Sequence, residues 1–276
     1  MKKIHKKYFN IIIIIMIITA LMLYYFKRSE KVTLLHTSGS SIFETFKLDK
    51  KIGVVYFAFL KEDRWKTIVL PQMHDLVNCK LAENADINIV LSGPEEEISS
   101  AKTEITNILS RVNTNIHFDY SYENTYEYPG IKKLYEKASE DPEKIYLYFH
   151  SKGMVFHEGE NKRNKLESHL FETLITNWEY IIDIFQKNPD KNKVTLGCSM
   201  QGFCWFNFFW VRGNYLKNNC SPPIITDDRY YYESYISSDC ENASYEDCYN
   251  IANNNEKPYY TQEDIAAYVH NLGLLD

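Results

Sequence analysis

Apolar residues recur along this chain in three rhythms, and each predicts a different element. From Phe9 to Phe26 the run FNIIIIIMIITALMLYYF is unbroken and uncharged. About 18 to 20 such residues span a hydrocarbon core at a rise of ~1.5 Å each, so the segment predicts one N-terminal transmembrane helix. A cleaved signal peptide would carry a shorter apolar core and small residues at its exit, whereas this run ends in Tyr24, Tyr25 and Phe26. Shorter apolar, β-branched runs follow: IGVVYFAFL after Lys51, INIVLSG over Ile87–Gly93, and KIYLYF ending at Phe149. Such runs are typical of parallel strands buried on both faces. A short strand is expected near Ile116–Tyr120 and another over Val194–Cys198.

Between these runs the period changes to that of a helix. One helical stretch is expected from about Arg64 to Asn84. Pro94 opens a second, with Glu95, Glu96 and Glu97 in its first turn and Ile98, Ala101, Ile105, Ile108 and Val112 on one face. A third covers Ile131–Ser139, and a fourth is marked by Leu170, Leu174, Trp178, Ile181 and Phe185. A last helix starts at Thr261, with Asp264 as its capping-box partner, and stops near Gly273. The aromatic stretch Gly202–Leu216 fits no single rhythm. The alternation predicts an α/β domain: an open, mostly parallel sheet with helices on both faces. The expected organisation is a cytoplasmic tail over 1–8, an anchor over 9–26, a stem over 27–50 and one domain over 51–276.

Charge sharpens this picture. Residues 1–31 hold seven of the 31 Lys and Arg and one of the 37 Asp and Glu, leaving 24 basic against 36 acidic residues, a net of −12. An acidic domain argues against nucleic acid as a partner, since that affinity comes from neutralising phosphates. Lys2, Lys3, Lys6 and Lys7 precede the apolar segment, so the positive-inside rule puts the N-terminus in the cytoplasm. The expectation is a single-pass type II protein with its domain lumenal (Golgi or ER) or extracytoplasmic. All six cysteines lie beyond the anchor and allow 15 pairings; Cys240 with Cys248 is the expected local disulfide pair, and Cys220 could join the same loop-rich region. Their spacings match no zinc pattern. Two sequons, at Asn219 and Asn242, agree with exposure in a lumen. No Walker loop, dinucleotide fingerprint or G-x-S-x-G elbow is present, which disfavours NTPase, dehydrogenase and serine-hydrolase readings.

Open α/β sheets bind ligands outside the carboxyl ends of their strands. That rule points to His150, Ser151, Lys152 and Gly153 as a diphosphate site, the alternative being a tight turn with solvated side chains. Asn207 and Arg212, polar among aromatics, either brace a loop or face a ligand. Trp205 and Trp210 either stack on a sugar ring or fill the core. Asp227, Asp228 and Glu233 can supply a general base or metal ligands. Equally, they read as a surface turn leading into a helix with an Arg229–Glu233 pair.

In order, YEYPGIKKLYEKA, KIYLYFHSKGM, NWEYIIDIF, GFCWFNFFWVRGNYL and DDRYYYESYI resemble a glycosyltransferase-like family of bacterial polysaccharide loci and large DNA viruses. That family is related in style to rhamnan-synthesis proteins. Its pattern is H-[ST]-K-G, then a Trp-bearing helix, then G-N-F-W-W-x-R and R-Y-x-x-E, and the likeness covers roughly Lys51 to Ser237. Phe206-Asn207-Phe208-Phe209-Trp210 departs from G-N-F-W-W, which leaves the role of Asn207 open. The resemblance implies a GT-A-like fold and an inverting, hexosyltransferase-like activity. It would move a sugar from a nucleotide-sugar donor to a glycan or glycoprotein acceptor. Glu233, or else Asp228 or Asp227, would be the catalytic base. Asn207, Trp210 and Arg212 would bind the acceptor. Metal-dependent enzymes of that fold carry an Asp-x-Asp motif where this chain has His150-Ser151-Lys152. Lys152 is therefore expected to meet the diphosphate with no firmly bound metal, although Asp227 and Asp228 keep Mn²⁺ or Mg²⁺ open. The rival from another class is a non-catalytic, membrane-anchored surface glycoprotein or glycan-binding module that retains the fold.

Overall fold

A computed structural model of the chain describes residues 51–151 and 164–274. The Phe9–Phe26 segment, the stem, Lys152 and Gly153 lie outside the described residues. Among the described residues no helix is long and apolar enough to cross a membrane.

Among the described residues, seven strands form one sheet: β1 (Ile52–Phe59), β2 (Ala85–Ser92), β3 (Asn115–Ser121), β4 (Ile145–His150), β5 (Lys193–Thr195), β6 (Phe209–Arg212) and β7 (Cys248–Asn250). Their order is β3-β2-β1-β4-β6-β5-β7. The pairs β1–β2, β1–β4, β2–β3 and β5–β7 are parallel, while β6 runs antiparallel to both β4 and β5. The protein is thus mixed α/β with a mostly parallel sheet. Burial follows position. The central strands β1 and β4 are covered on both faces, whereas edge strand β3 alternates between exposed and half-buried residues.

Among the described residues, eight α-helices of seven residues or more flank the sheet: α1 (Lys66–Asn78), α2 (Glu95–Leu109), α3 (Tyr128–Glu140), α4 (Lys165–Phe171), α5 (Trp178–Lys187), α6 (Gly213–Asn219), α7 (Arg229–Ser238) and α8 (Gln262–Asn271). Successive strand residues point to opposite faces. Val55 and Phe57 of β1 join Tyr146, Tyr148, Phe209 and Val211 in a core covered by Ile131 and Leu134 of α3, Leu216 of α6 and Tyr235 of α7. On the other face the Tyr56 hydroxyl donates to Gln72 Oε1 of α1 at 2.5 Å. Gln72 Nε2 in turn donates to the buried Glu167 of α4 at 2.6 Å. Helices therefore cover both faces, and a buried polar chain ties two of them to β1.

Local signals placed most elements. The α2 positions Ile98, Ala101, Ile105 and Ile108 are buried, while Val112 lies beyond the helix end. At α8 the capping box is complete: Asp264 N donates to Thr261 Oγ1 at 3.2 Å and Thr261 N to Asp264 Oδ2 at 2.9 Å. The single helix expected over Arg64–Asn84 is broken. Lys80 adopts a left-handed φ of 64° after α1, and a separate four-residue helix covers Leu81–Asn84. The expected strand Val194–Cys198 contracts to β5, and the ambiguous stretch Gly202–Leu216 holds β6 and the start of α6. The disulfide is Cys220–Cys240, not Cys240–Cys248, because Cys248 is carried away in β7.

Candidate functional site

The reversal of β6 builds the site. Tyr148 pairs with Phe209 and Ile145 with Arg212. Past Tyr148 the segment leading into β6 lies beside His150, at the carboxyl edge of the parallel strands. The chain reaches β6 through a distorted turn, Trp205–Asn207, in which Phe206 and Asn207 both have left-handed φ, 71° and 56°. Asn tolerates that region, but a bulky residue such as Phe206 is strained there, and such strain persists only where the surroundings hold it. Here they do. The Phe206 carbonyl lies 3.3 Å from His150 Nε2, and the His150 ring packs edge-on against Phe208.

Glu127 is the centre of this arrangement. It precedes α3, and its backbone carbonyl accepts from Gly130 N and Ile131 N at 3.1 and 3.0 Å. Its side chain does not cap the helix but turns over the strand ends. Glu127 Oε2 accepts from Asn207 Nδ2 at 2.5 Å and from the Tyr148 hydroxyl at 3.1 Å. Glu127 Oε1 stands 3.5 Å from His150 Nδ1. Burial first, then the Glu127 carboxylate, pushes the Tyr148 phenol well above its ordinary value, so its O–H remains a donor. Asn207 is buried and also donates to the Tyr232 carbonyl of α7 at 3.4 Å, which links the hub to that helix. Gly130 makes the close approach feasible. A Cβ there would meet Phe57 Cβ at 2.6 Å and the Tyr148 hydroxyl at 2.8 Å.

Beside the hub, a groove of about 430 Å³ opens over the ends of β2 and β3. Tyr120, Tyr122 and Tyr128 line it, with Ile225 from the loop before α7. Its lysines are already engaged: Lys133 pairs with Asp119 at 3.0 Å and Lys132 with Glu136 at 2.5 Å. The groove therefore offers ring faces more than net positive charge. A smaller hollow of about 230 Å³, lined by Asp86, Asn88, His117, Lys144 and Tyr146 among others, lies at the opposite, amino edge of the sheet.

The residues singled out in the sequence fall into three groups. His150 and Asn207 meet at the carboxyl edge. Ser151 is there too, but its role is structural: its N donates to Phe57 O at 2.9 Å and its Oγ accepts from Phe59 N at 3.1 Å, extending β4 along β1. Glu233 lies half-buried on α7, next in sequence to Tyr232. Asp228 caps α7, its Oδ1 accepting from Tyr230 N at 2.9 Å, and Asp227 is exposed in the same loop. Among the described residues no three His, Cys, Asp or Glu side chains come together to hold a metal ion. Asp228 spends one carboxylate oxygen on its cap.

Two expectations are corrected. Trp210 is fully buried in β6, with its indole N–H donating to Leu174 O at 2.7 Å, so it fills the core and cannot stack on an acceptor. Arg212 sits at the amino edge of the sheet, paired with Ile145 at the far end of β6 from Asn207. There it donates to the carbonyls of Lys191 and Phe185, at 2.9 and 2.8 Å, and closes the end of α5. Glu127 was not singled out by sequence reasoning. Its only signal was its place inside the YEYPG run, directly before a helix.

No family model matches the chain, and no curated protein matches it. Among solved structures, 4-diphosphocytidyl-2C-methyl-D-erythritol synthase from Anaerococcus prevotii is similar at 16% identity. That alignment covers 80% of this chain and 98% of the other, with a TM-score of 0.34. Core-mannan synthase A from Aspergillus fumigatus, in its Mn/GDP form, is similar at 9% identity over 68% of this chain and 64% of the other, with a TM-score of 0.27. Likeness this distant carries no argument about chemistry. What the structure establishes is a mixed α/β protein whose Glu127, His150 and Asn207 converge at the carboxyl edge of a mostly parallel, seven-stranded sheet.

Proposed function

We propose that the chain transfers a sugar from a nucleotide-sugar donor to a glycan or glycoprotein acceptor at the carboxyl edge of its sheet. The observation that carries this reading is the Glu127 hub. A carboxylate, an imidazole and an amide from three separate elements are fixed together at the edge where α/β sheets bind ligands, beside a groove walled by tyrosines. The nucleoside ring lies in that groove against Tyr120, Tyr122 or Tyr128, whose faces suit a planar base or a sugar. Glu127 and His150 are positioning residues that hold the Asn207 loop and the end of β4 in register. Lys152, next after Ser151, supplies the positive charge that meets the departing diphosphate.

In the transfer, an acceptor oxygen bonds to the anomeric carbon as the bond from that carbon to the diphosphate oxygen breaks. The diphosphate leaves with the electron pair, and Glu233 takes the acceptor proton. The same proposal has Phe9–Phe26 anchor the protein as a type II membrane protein with the domain outside the cytoplasm. The test uses the full-length chain in detergent with a panel of nucleotide sugars, with and without oligosaccharide acceptors. Release of nucleoside diphosphate from one donor, stimulated by acceptor, is the expected result. Binding without turnover would favour a glycan- or nucleotide-binding module, and neither binding nor turnover would refute the proposal.

A further inference from the structure

Before it reaches the Asn207 turn, the chain leaving β5 folds back on itself in a tight hairpin. Two backbone hydrogen bonds close it, Ser199 N to Phe203 O at 2.9 Å and Trp205 N to Gly197 O at 3.0 Å. They bracket Cys198 and Cys204, which face each other across an antiparallel bridge. Bonds on either side of a facing pair make it a non-hydrogen-bonded pair, whose Cα atoms stand about 4.5 Å apart with both side chains on one face. A disulfide spans that separation without backbone movement. The chain holds its own precedent. Cys220 and Cys240 form another such bridge, bracketed in the same way by Ser221 N to Asp239 O at 2.8 Å and Glu241 N to Asn219 O at 2.7 Å, and these two are bonded.

We propose that Cys198 and Cys204 close a second disulfide in the mature protein, locking the hairpin from which the Asn207 turn springs. Cys204 O accepts from Asn207 N at 3.2 Å, so the bond fixes one end of that strained turn. The Cys198 thiol rests 3.8 Å from Pro258 O, and closure asks for side-chain rotation on a backbone already at the right spacing. A third buried thiol, Cys248, hangs from β7 and is engaged elsewhere. Its Sγ lies 3.5 Å from Asp247 Oδ1, 3.6 Å from Ser244 O and 3.8 Å from Gly202 O. On closure each of the two thiols gives up one proton, and together they give up two electrons. A disulfide oxidant such as oxidised glutathione accepts them and is reduced to two thiols. Cys198 and Cys204 are both buried in the folded chain, so the exchange runs while the hairpin is still open to solvent. This pairing is independent of the proposed activity.

The test is disulfide mapping of the full-length chain, refolded in detergent with reduced and oxidised glutathione until Cys220–Cys240 has closed, then quenched with N-ethylmaleimide in denaturant. Cleavage at Met200 and at the basic residues puts Cys198, Cys204 and Cys220 on separate peptides, and Cys240 with Cys248 on a fourth. The expected result is that peptides 194–200 and 201–212 stay linked until reduced, with Cys79 and Cys248 alkylated. A link from Cys198 or Cys204 to any other cysteine, or recovery of both in alkylated form, overturns the proposal.

Discussion

Glu127 and Asn207 are 80 residues apart in sequence, yet their side chains meet at 2.5 Å over the ends of the central strands. The contact joins the loop before α3 to the strained turn before β6. It is a charge-assisted bond between partly or fully buried groups, the strongest class of hydrogen bond in a protein interior. Replacing Asn207 by Ala leaves a buried carboxylate oxygen short of a donor and puts a Cβ residue without a polar tip at φ 56°. The expected loss is about 2 kcal/mol in urea unfolding. Asn207→Asp should cost more, because two carboxylates then face each other.

Gly130 lets the first turn of α3 approach β1 and β4. Gly130→Ala forces its Cβ into Phe57 and the Tyr148 hydroxyl, and α3 must shift outward. Overpacking of this kind costs about 1–3 kcal/mol. Turnover should fall further than the stability loss alone would bring it, because Glu127 moves with the helix. Donor turnover compared at a temperature where both proteins are folded checks this.

Arg212 separates a structural role from a binding one. Its guanidinium holds carbonyls at the end of α5, far from the groove. Arg212→Ala should lower stability by about 2 kcal/mol while leaving the acceptor KM unchanged. An unchanged melting temperature with a raised KM would restore the acceptor role.

Glu233→Gln keeps the shape of the side chain and removes the base. Turnover should drop by a factor on the order of 10²–10⁴, with nucleotide binding unaltered in titration calorimetry. Lys152→Ala should weaken nucleoside diphosphate binding more than nucleoside binding, and EDTA should leave the wild type active. Loss of activity in EDTA with rescue by Mn²⁺ would move the counter-charge to a metal.

The parallel half of the sheet was legible in the sequence because β1, β2 and β4 are buried on both faces, and a short, continuous, β-branched apolar run fits little besides a buried strand. The capping box at Thr261 was equally readable, since its partners lie three residues apart. The far half was not. β5 and β7 span three residues each and carry too little pattern, and β6 hides in an aromatic stretch whose direction only tertiary pairing sets. That direction decides the site. Asn207 and Arg212 read as neighbours in the sequence, but an antiparallel strand carries them to opposite edges of the sheet. Trp210 lay between them with nothing local to show that its indole N–H would be spent on Leu174. Glu127 escaped notice because an acid before a helix is ordinarily a cap, and here the side chain turns away from the helix.

Photolabelling tests the central claim most directly, because the sheet offers hollows at both of its edges. A photoactivatable nucleotide-sugar analogue would be irradiated with the full-length protein and the labelled peptides mapped. The account predicts label between Asp119 and Lys133, around Tyr120, Tyr122 and Tyr128, competed away by the parent nucleoside diphosphate. Competable label confined to the amino-edge hollow, at Asp86–Asn88 or Lys137–Tyr146, or no competable label at all, would contradict it.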